Sequence, residues 1–353
     1  MTTVSSRLFS IVLILVALAP AAVAKEKKTS PPYGVLGASV GDEVVLASPI
    51  DGQIKTVPTG PVAWLFPAPG GILFAPDLVN GNTTVIDLRS LTARENIPGV
   101  TMPRFGTASD RYLVLTDRIL IMSYPERALL NSFEIGFENP WQVEVAADNT
   151  VLFVLERKPQ GGDEANLVAV NLGEGQLVYR RPLHGDVRQF ALSAALRVMA
   201  LAAAGTGQVV IADPVVVSPV AVYPVDGKPV DVVFAGDETT LIAAVAKSDG
   251  TGELRIWKLK MEKKKGLVVK KEWTIPLRAS PVRMARSPDW RHVAIALGGG
   301  EVQIIEVASQ LLASIVELPG DLRDFVWCDP MRAGPLLPEW SDDDEPTLNL
   351  GGR

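Results

Sequence analysis

The chain has 353 residues, 40 Asp and Glu against 34 Lys and Arg, and a formal net charge of −6. An acidic surface of this kind does not hold nucleic acid through phosphate contacts, and no RNA-binding or helix-turn-helix pattern is present. The single cysteine, Cys328, excludes an intramolecular disulfide framework.

Residues 1–24, MTTVSSRLFSIVLILVALAPAAVA, place Arg7 before an apolar core and Ala22-Val23-Ala24 before Lys25, the plan of a cleaved secretory signal peptide. The competing reading is a retained anchor, but Leu8 to Ala24 spans 17 residues and includes Pro20, the lower limit for crossing hydrocarbon. No cysteine follows the apolar core to accept a lipid. Export to a periplasm or outside the cell is the expectation, with no stable membrane span after cleavage. Residues 25–32, KEKKTSPP, read as a charged, flexible leader.

Short runs then alternate with turn residues. Tyr33–Val40, Glu43–Ser48 and Gln53–Val57 are separated by Gly41-Asp42 and Asp51-Gly52, both strong hairpin signals. From residue 61 a fuller unit begins: Val62–Phe66, a turn at Pro67–Gly71, Ile72–Ala75, a polar loop Asp77–Asn82, Thr83–Leu88 and Ala93–Pro98. Runs of this length, bounded by Gly, Pro, Asn and Asp, are too short for helices and suit antiparallel strands.

The unit returns. Counterparts of Val62 fall at Met102, Trp141, Val187, Val230, Val282 and Leu322, spaced by 40, 39, 46, 43, 52 and 40 residues. Eleven residues after the first six starts stand Leu73, Leu113, Leu152, Val198, Leu241 and Val293, in second-strand register. Asp148, Asp237, Asp289 and Asp329 lie seven residues after their starts, with Asp110 one place later, where a carboxylate can accept nearby turn N–H groups.

A four-strand repeat near 40 residues is the signature of a propeller, because one such sheet cannot bury both faces alone. The seventh start, 321–330, lacks its later strands, and the strands between residues 33 and 57 lack a first one. The predicted fold is therefore all-β, a seven-bladed β-propeller over residues 33–329, closed by pairing a C-terminal strand with the N-terminal blade. Blade four carries a long polar loop at 156–166, blade five is rich in Ala and Val, and blade six holds the polybasic MEKKKGLVVKK at 261–271, read as a solvated hairpin. Residues 330–353 form an acidic, partly disordered tail, without the spacing of a calcium loop.

Thr83–Leu88, Ser287-Pro288-Asp289 and Leu254-Arg255-Ile256-Trp257 resemble strands and turns of YVTN-type and WD40-like β-propeller repeats. The Gly-His and Trp-Asp dipeptides of regular WD40 repeats are absent. The resemblance implies either a binding platform or, as in some relatives, a lactonase.

The chemistry-bearing residues favour the platform. His184 and His292 form no metal-ligand spacing with each other or with Cys328, which reads as a small core residue. No nucleophile elbow, HExxH or phosphate-cradling loop occurs. The enzyme alternative is a metal-dependent, lactonase-like hydrolase in which Asp77, Asn80, Asn82, Asp117 and Glu156 supply oxygen ligands to a divalent ion. These residue types are also ordinary turn formers. Otherwise no cofactor is predicted.

One place after the aligned starts stand Arg188, Asp231, Arg283 and Arg323, in blades that the ring order makes adjacent. They are the candidate site for an acidic peptide or other anionic ligand, since guanidinium binds carboxylate bidentately. The structural alternative is that acids such as Asp186, Asp231 and Asp324 neutralise these arginines in pairs. The expected function is that of an exported, non-catalytic platform for a protein partner, with a structural subunit of a periplasmic redox complex as a third reading.

Overall fold

The computed structural model describes residues 30–332 except 63, 78, 99–102, 106–109, 116–117 and 158–163. The segment read as a signal peptide, the tail beyond Arg332, Asp117 and much of the blade-four loop lie outside these residues.

The short runs form strands in seven four-stranded antiparallel sheets. Blade one contains β1 (Val35–Val40), β2 (Glu43–Ala47) and β3 (Ile54–Pro58). Blade two is β4 (Phe66–Ala68), β5 (Ile72–Asp77), β6 (Asn82–Asp87) and β7 (Thr92–Pro98). Blade three is β8 (Pro103–Arg104), β9 (Arg111–Leu115), β10 (Ile119–Ser123) and β11 (Leu129–Phe133). Blade four is β12 (Pro140–Val145), β13 (Val151–Arg157), β14 (Ala165–Asn171) and β15 (Gln176–Leu183). Blade five is β16 (Val187–Ser193), β17 (Val198–Ala203), β18 (Gln208–Ala212) and β19 (Pro219–Pro224). Blade six is β20 (Lys228–Ala235), β21 (Thr240–Ala246), β22 (Gly252–Glu262) and β23 (Gly266–Leu277). Blade seven is β24 (Pro281–Arg286), β25 (His292–Leu297), β26 (Glu301–Glu306) and β27 (Leu311–Glu317).

The last strand, β28 (Leu322–Cys328), becomes the innermost strand of blade one. It pairs antiparallel with β1 in the register Val35↔Cys328 through Ser39↔Asp324, and a bulge follows at Ser39/Val40. Trp327 Nε1–H donates to Tyr33 O at 2.8 Å, and Asp324 N–H donates to Ser39 Oγ at 2.9 Å. The fold is thus the seven-bladed propeller with its ring closed by pairing. Beyond β28 the chain crosses to blade two, where Gly70 N–H donates to Arg332 O at 2.9 Å. Gly71 has φ +74°, and a Cβ there would stand 2.3 Å from Pro330 O, so this crossing requires glycine. At the other end Ser30 donates to Glu306 of blade seven, and His292 Nε2 lies 3.0 Å from Ser30 O.

Burial explains the two sequence patterns. The second strands β5, β17 and β25 are buried at every residue, because each is covered on both faces by neighbouring blades. They therefore read as continuous apolar runs, with many alanines in β17, β21 and β25. The outer strand β19 alternates exposed and half-buried residues. The seven apolar clusters among the described residues each lie between two adjacent blades; Trp257 and Phe234, for example, pack with Val198 and Ala200 across the five–six boundary.

Asp148, Asp237, Asp289 and Asp329 each accept the N–H two residues on, at 2.8–3.2 Å. After the first three, Asn149, Glu238 and Trp290 adopt φ of 59–64°, a left-handed turn these bonds hold in place. Asp110 instead pairs with Arg111 at 3.0 Å. Blade two departs from the expected strand over Val62–Phe66. The strand is Phe66–Ala68, and Val62 makes only an isolated bridge with Asp77. Pro67 has no N–H for a ladder, and Leu65 N–H is drawn to the Asp324 carboxylate of blade one at 2.8 Å.

Candidate functional site

The innermost strands run in one sense around the axis and enclose a channel of about 1070 Å³. We call the face where they begin the entry face and the other the exit face. Because side chains alternate along a strand, those pointing inward meet across the axis, however far apart they stand in sequence. Six of them carry charge: Arg104 from blade three, Glu144 from blade four, Asp231 from blade six, Arg283 and Arg286 from blade seven, and Asp324 from blade one.

The acids are fastened to backbone. Asp231 Oδ1 accepts Val232 N–H and Oδ2 accepts Met284 N–H, both at 2.8 Å, joining blades six and seven. Asp324 Oδ2 accepts Leu65 N–H at 2.8 Å, joining blades one and two. Burial raises the Asp231 carboxyl to about 6 despite the nearby Arg283 charge and these two donors. Burial also raises Asp324, opposed chiefly by Arg283. Glu144 is pushed up to about 7 by desolvation, with Arg286 opposing, and accepts a 2.7 Å bond from Gln142 Nε2. Gln142 itself bridges to blade five, accepting Phe190 N–H at 2.8 Å and donating to Phe190 O at 2.7 Å.

The cations are placed differently. Arg286 lies 3.3 Å over the Trp290 ring and donates to Phe234 O at 3.0 Å. Arg283 Nη2 reaches Asp324 Oδ1 at 3.5 Å. Arg104 rests 4.1 Å from the Phe66 ring centroid, and desolvation lowers it to about 10.

Of the arc expected from sequence, Asp231 and Arg283 line this channel; Arg188 and Arg323 do not. Arg323 is exposed. Arg188 stands on the entry rim, its Nε 3.0 Å from Asp186 Oδ2, while Arg157 Nη2 takes Asp186 Oδ1 at 2.8 Å. Trp141 completes the rim cluster. Arg157 lies 5.0 Å over its ring, its Nε1–H donates to Arg188 O at 3.1 Å, and it remains 36% exposed.

Of the candidate metal ligands, Asp77 and Glu156 are engaged within their own blades. Asp77 accepts Val79 and Asn80 N–H at 2.9 and 3.0 Å and the Asn80 amide, forming the β5–β6 turn. Asn82 begins β6 with its Oδ1 buried. Glu156, two blades away, accepts Glu138 N–H at 2.8 Å and pairs with Arg180 at 3.1 Å. Among the described residues no group of three or more His, Cys, Asp or Glu side chains gathers for a metal ion. Cys328 is buried in β28, and burial pushes its thiol up.

Arg104, Glu144, Arg286 and Trp141 were not singled out by sequence reasoning. The signal was their inward register on innermost strands, which an alignment on strand starts blurs wherever a bulge shifts the count, as between Pro281 and Arg283.

No protein-family model and no curated protein matches the chain. Among solved structures, the β-propeller domain of Cps50 (Swd1) from Myceliophteria thermophila aligns at TM-score 0.55 and 12% identity, over 74% of this chain and 88% of that one. A chain of the mitotic checkpoint complex aligns at TM-score 0.56 and 12% identity, over 90% of this chain and 98% of that one. Likeness at this identity establishes the β-propeller fold and leaves the residues that act to be argued from the site.

Proposed function

We propose that this chain is an exported, non-catalytic propeller of the YVTN/WD40-like class that holds a protein partner on its entry face. The observation that carries this reading is the rim cluster of Trp141, Arg157, Asp186 and Arg188. Trp and Arg are the side chains that anchor protein interfaces, and here both are held rigid before a partner arrives. Asp186 is shared by two arginines, so the cluster presents net positive charge beside an indole face, which suits an acidic, aromatic-containing partner surface. β13 ends within the cluster, at Arg157. Export to a periplasm rests on residues 1–24, with their apolar core and small-residue cleavage site.

Gentle purification of the mature protein from its native host, followed by mass spectrometry, is expected to return a stoichiometric protein partner. Trp141→Ala and Arg188→Ala are each expected to weaken that complex by roughly tenfold or more with unchanged melting. A partner-free protein, or folded variants that bind as tightly as the unaltered chain, would refute the rim assignment.

A further inference from the structure

Two guanidinium groups in the channel have more donors than the protein supplies acceptors, while the two acids beside them are already engaged. Asp231 and Asp324 hold backbone N–H groups at 2.8 Å, and those donors belong to the sheets, so neither carboxylate is free to turn fully toward a cation. A guanidinium carries five N–H donors. Among the described residues, Arg283 has only its 3.5 Å contact with Asp324, and Arg104 donates no hydrogen bond and lies on the Phe66 ring. Arg104 comes from blade three and Arg283 from blade seven, yet both charges act on the same Asp324 carboxylate of blade one.

We propose that Arg104 and Arg283 form a carboxylate-binding site inside the channel, fitted to a planar monoanion with an apolar body. The two arginines face two acids, so the set has no charge surplus with which to hold a multiply charged phosphate. A planar carboxylate instead gains parallel charge-assisted bonds from a guanidinium fork without needing a net positive field. Trp64, Leu65 and Pro67 line the same channel and supply apolar surface for the body of the ligand. A cavity of about 1070 Å³ admits a small organic acid or the carboxylate terminus of a chain, two sources of one chemistry. This site is inside the channel and the partner site is on the rim, so either assignment can fail without the other.

Calorimetric titration with phenylacetate and phenylacetamide, and with a short peptide ending in Phe as free acid or as amide, tests the assignment. The acids are expected to bind about tenfold or more tighter than their amides. Arg104→Gln and Arg283→Gln are each expected to remove that preference, and Arg104→Lys to restore it only in part, because an ammonium has no fork. Removing Arg283 deprives Asp324 of a counter-charge, so melting accompanies each variant; the acid–amide comparison needs only the unaltered protein. Binding of the small acid alone supports the site and identifies a free organic acid as its source. Binding of the peptide acid alone supports it with a chain terminus as the source. Equal binding of acid and amide, or no heat from either acid up to about 10 mM, a range that still detects millimolar affinity, would overturn it.

Discussion

Glu144 sits on β12 with its carboxyl at about 7, against an ordinary 4.5, because desolvation in the channel outweighs the attraction of Arg286. A folded-state value above the unfolded one means that the native protein holds this proton more tightly. The contribution to stability is complete below pH 4.5 and is lost as the pH rises through 7. The shift corresponds to on the order of 3 kcal/mol. Asp231, at about 6, acts in the same direction, whereas Asp237 and Glu306, both at about 2, matter only in more acidic solution. Melting at pH 5 is therefore expected to occur at a higher temperature than at pH 8. Glu144→Gln is expected to reduce that difference without abolishing it, since Asp231 remains; identical pH profiles for the two proteins would contradict the account. None of this was legible in the sequence. A carboxylate on an innermost strand looks like any polar strand residue until the ring brings Arg286 and Asp231 across the axis from it, and Arg104 was hidden for the same reason. Arg188 and Arg323 illustrate the converse. Their offset from the strand start matched that of Arg283, but Arg188 turned to the rim carboxylate of Asp186 and Arg323 to solvent.

Strands, by contrast, were largely readable, because burial on both faces imposes a run of apolar residues that needs no knowledge of partners. Leu73, Leu113, Leu152, Val198, Leu241 and Val293 all occupy second strands and are buried. The short β4 and β8 were the hard cases, since proline interrupts the ladder in both. Outer strands follow a different rule, and β19 departs from it. An outer strand offers an unpaired edge, which charge ordinarily protects, as Arg180 and Arg181 do on β15 and Lys270, Lys271 and Glu272 on β23. From Pro214 to Val225 blade five has no charged residue, and Val220 and Val222 are 46% and 43% exposed. Pro219 and Pro224 blunt the two ends of the strand, leaving the valines between them uncovered. Replacing both valines with lysine is expected to slow aggregation of the heated protein, read by light scattering. Because these side chains face solvent, stability is expected to change by no more than about 0.5 kcal/mol. A variant that aggregates as fast as the unaltered chain would remove β19 from suspicion.

The ring as a whole depends on a bond between the two ends of the chain. Its apolar clusters lie between blades, so each blade is stable only while both neighbours are present, and a single opening exposes two faces at once. The closure was visible in sequence as a first strand without successors near one end and successors without a first strand near the other. What the sequence could not convey is how many interactions converge on β28. Phe325 and Trp327 complete the cluster between blades one and seven, and Cys328 that between one and two. Asp324 also fastens Leu65 of blade two, and Pro330 and Arg332 continue onto that blade. Removal of one large buried aromatic costs about 3–5 kcal/mol, and a whole domain has only about 5–15 kcal/mol to lose. A chain ending at Gly320 is accordingly expected to lack a cooperative melting transition, whereas one ending at Arg332 is expected to melt as the full chain does. The two proteins differ by twelve residues, so the contrast isolates the closing strand from the tail. A synthetic peptide covering 321–332 should restore part of the transition to the shorter chain by re-forming the β1–β28 pairing. Cooperative melting of the chain ending at Gly320 at the full-length temperature, without peptide, would mean that six complete blades hold the ring unaided and that closure by β28 is dispensable to stability.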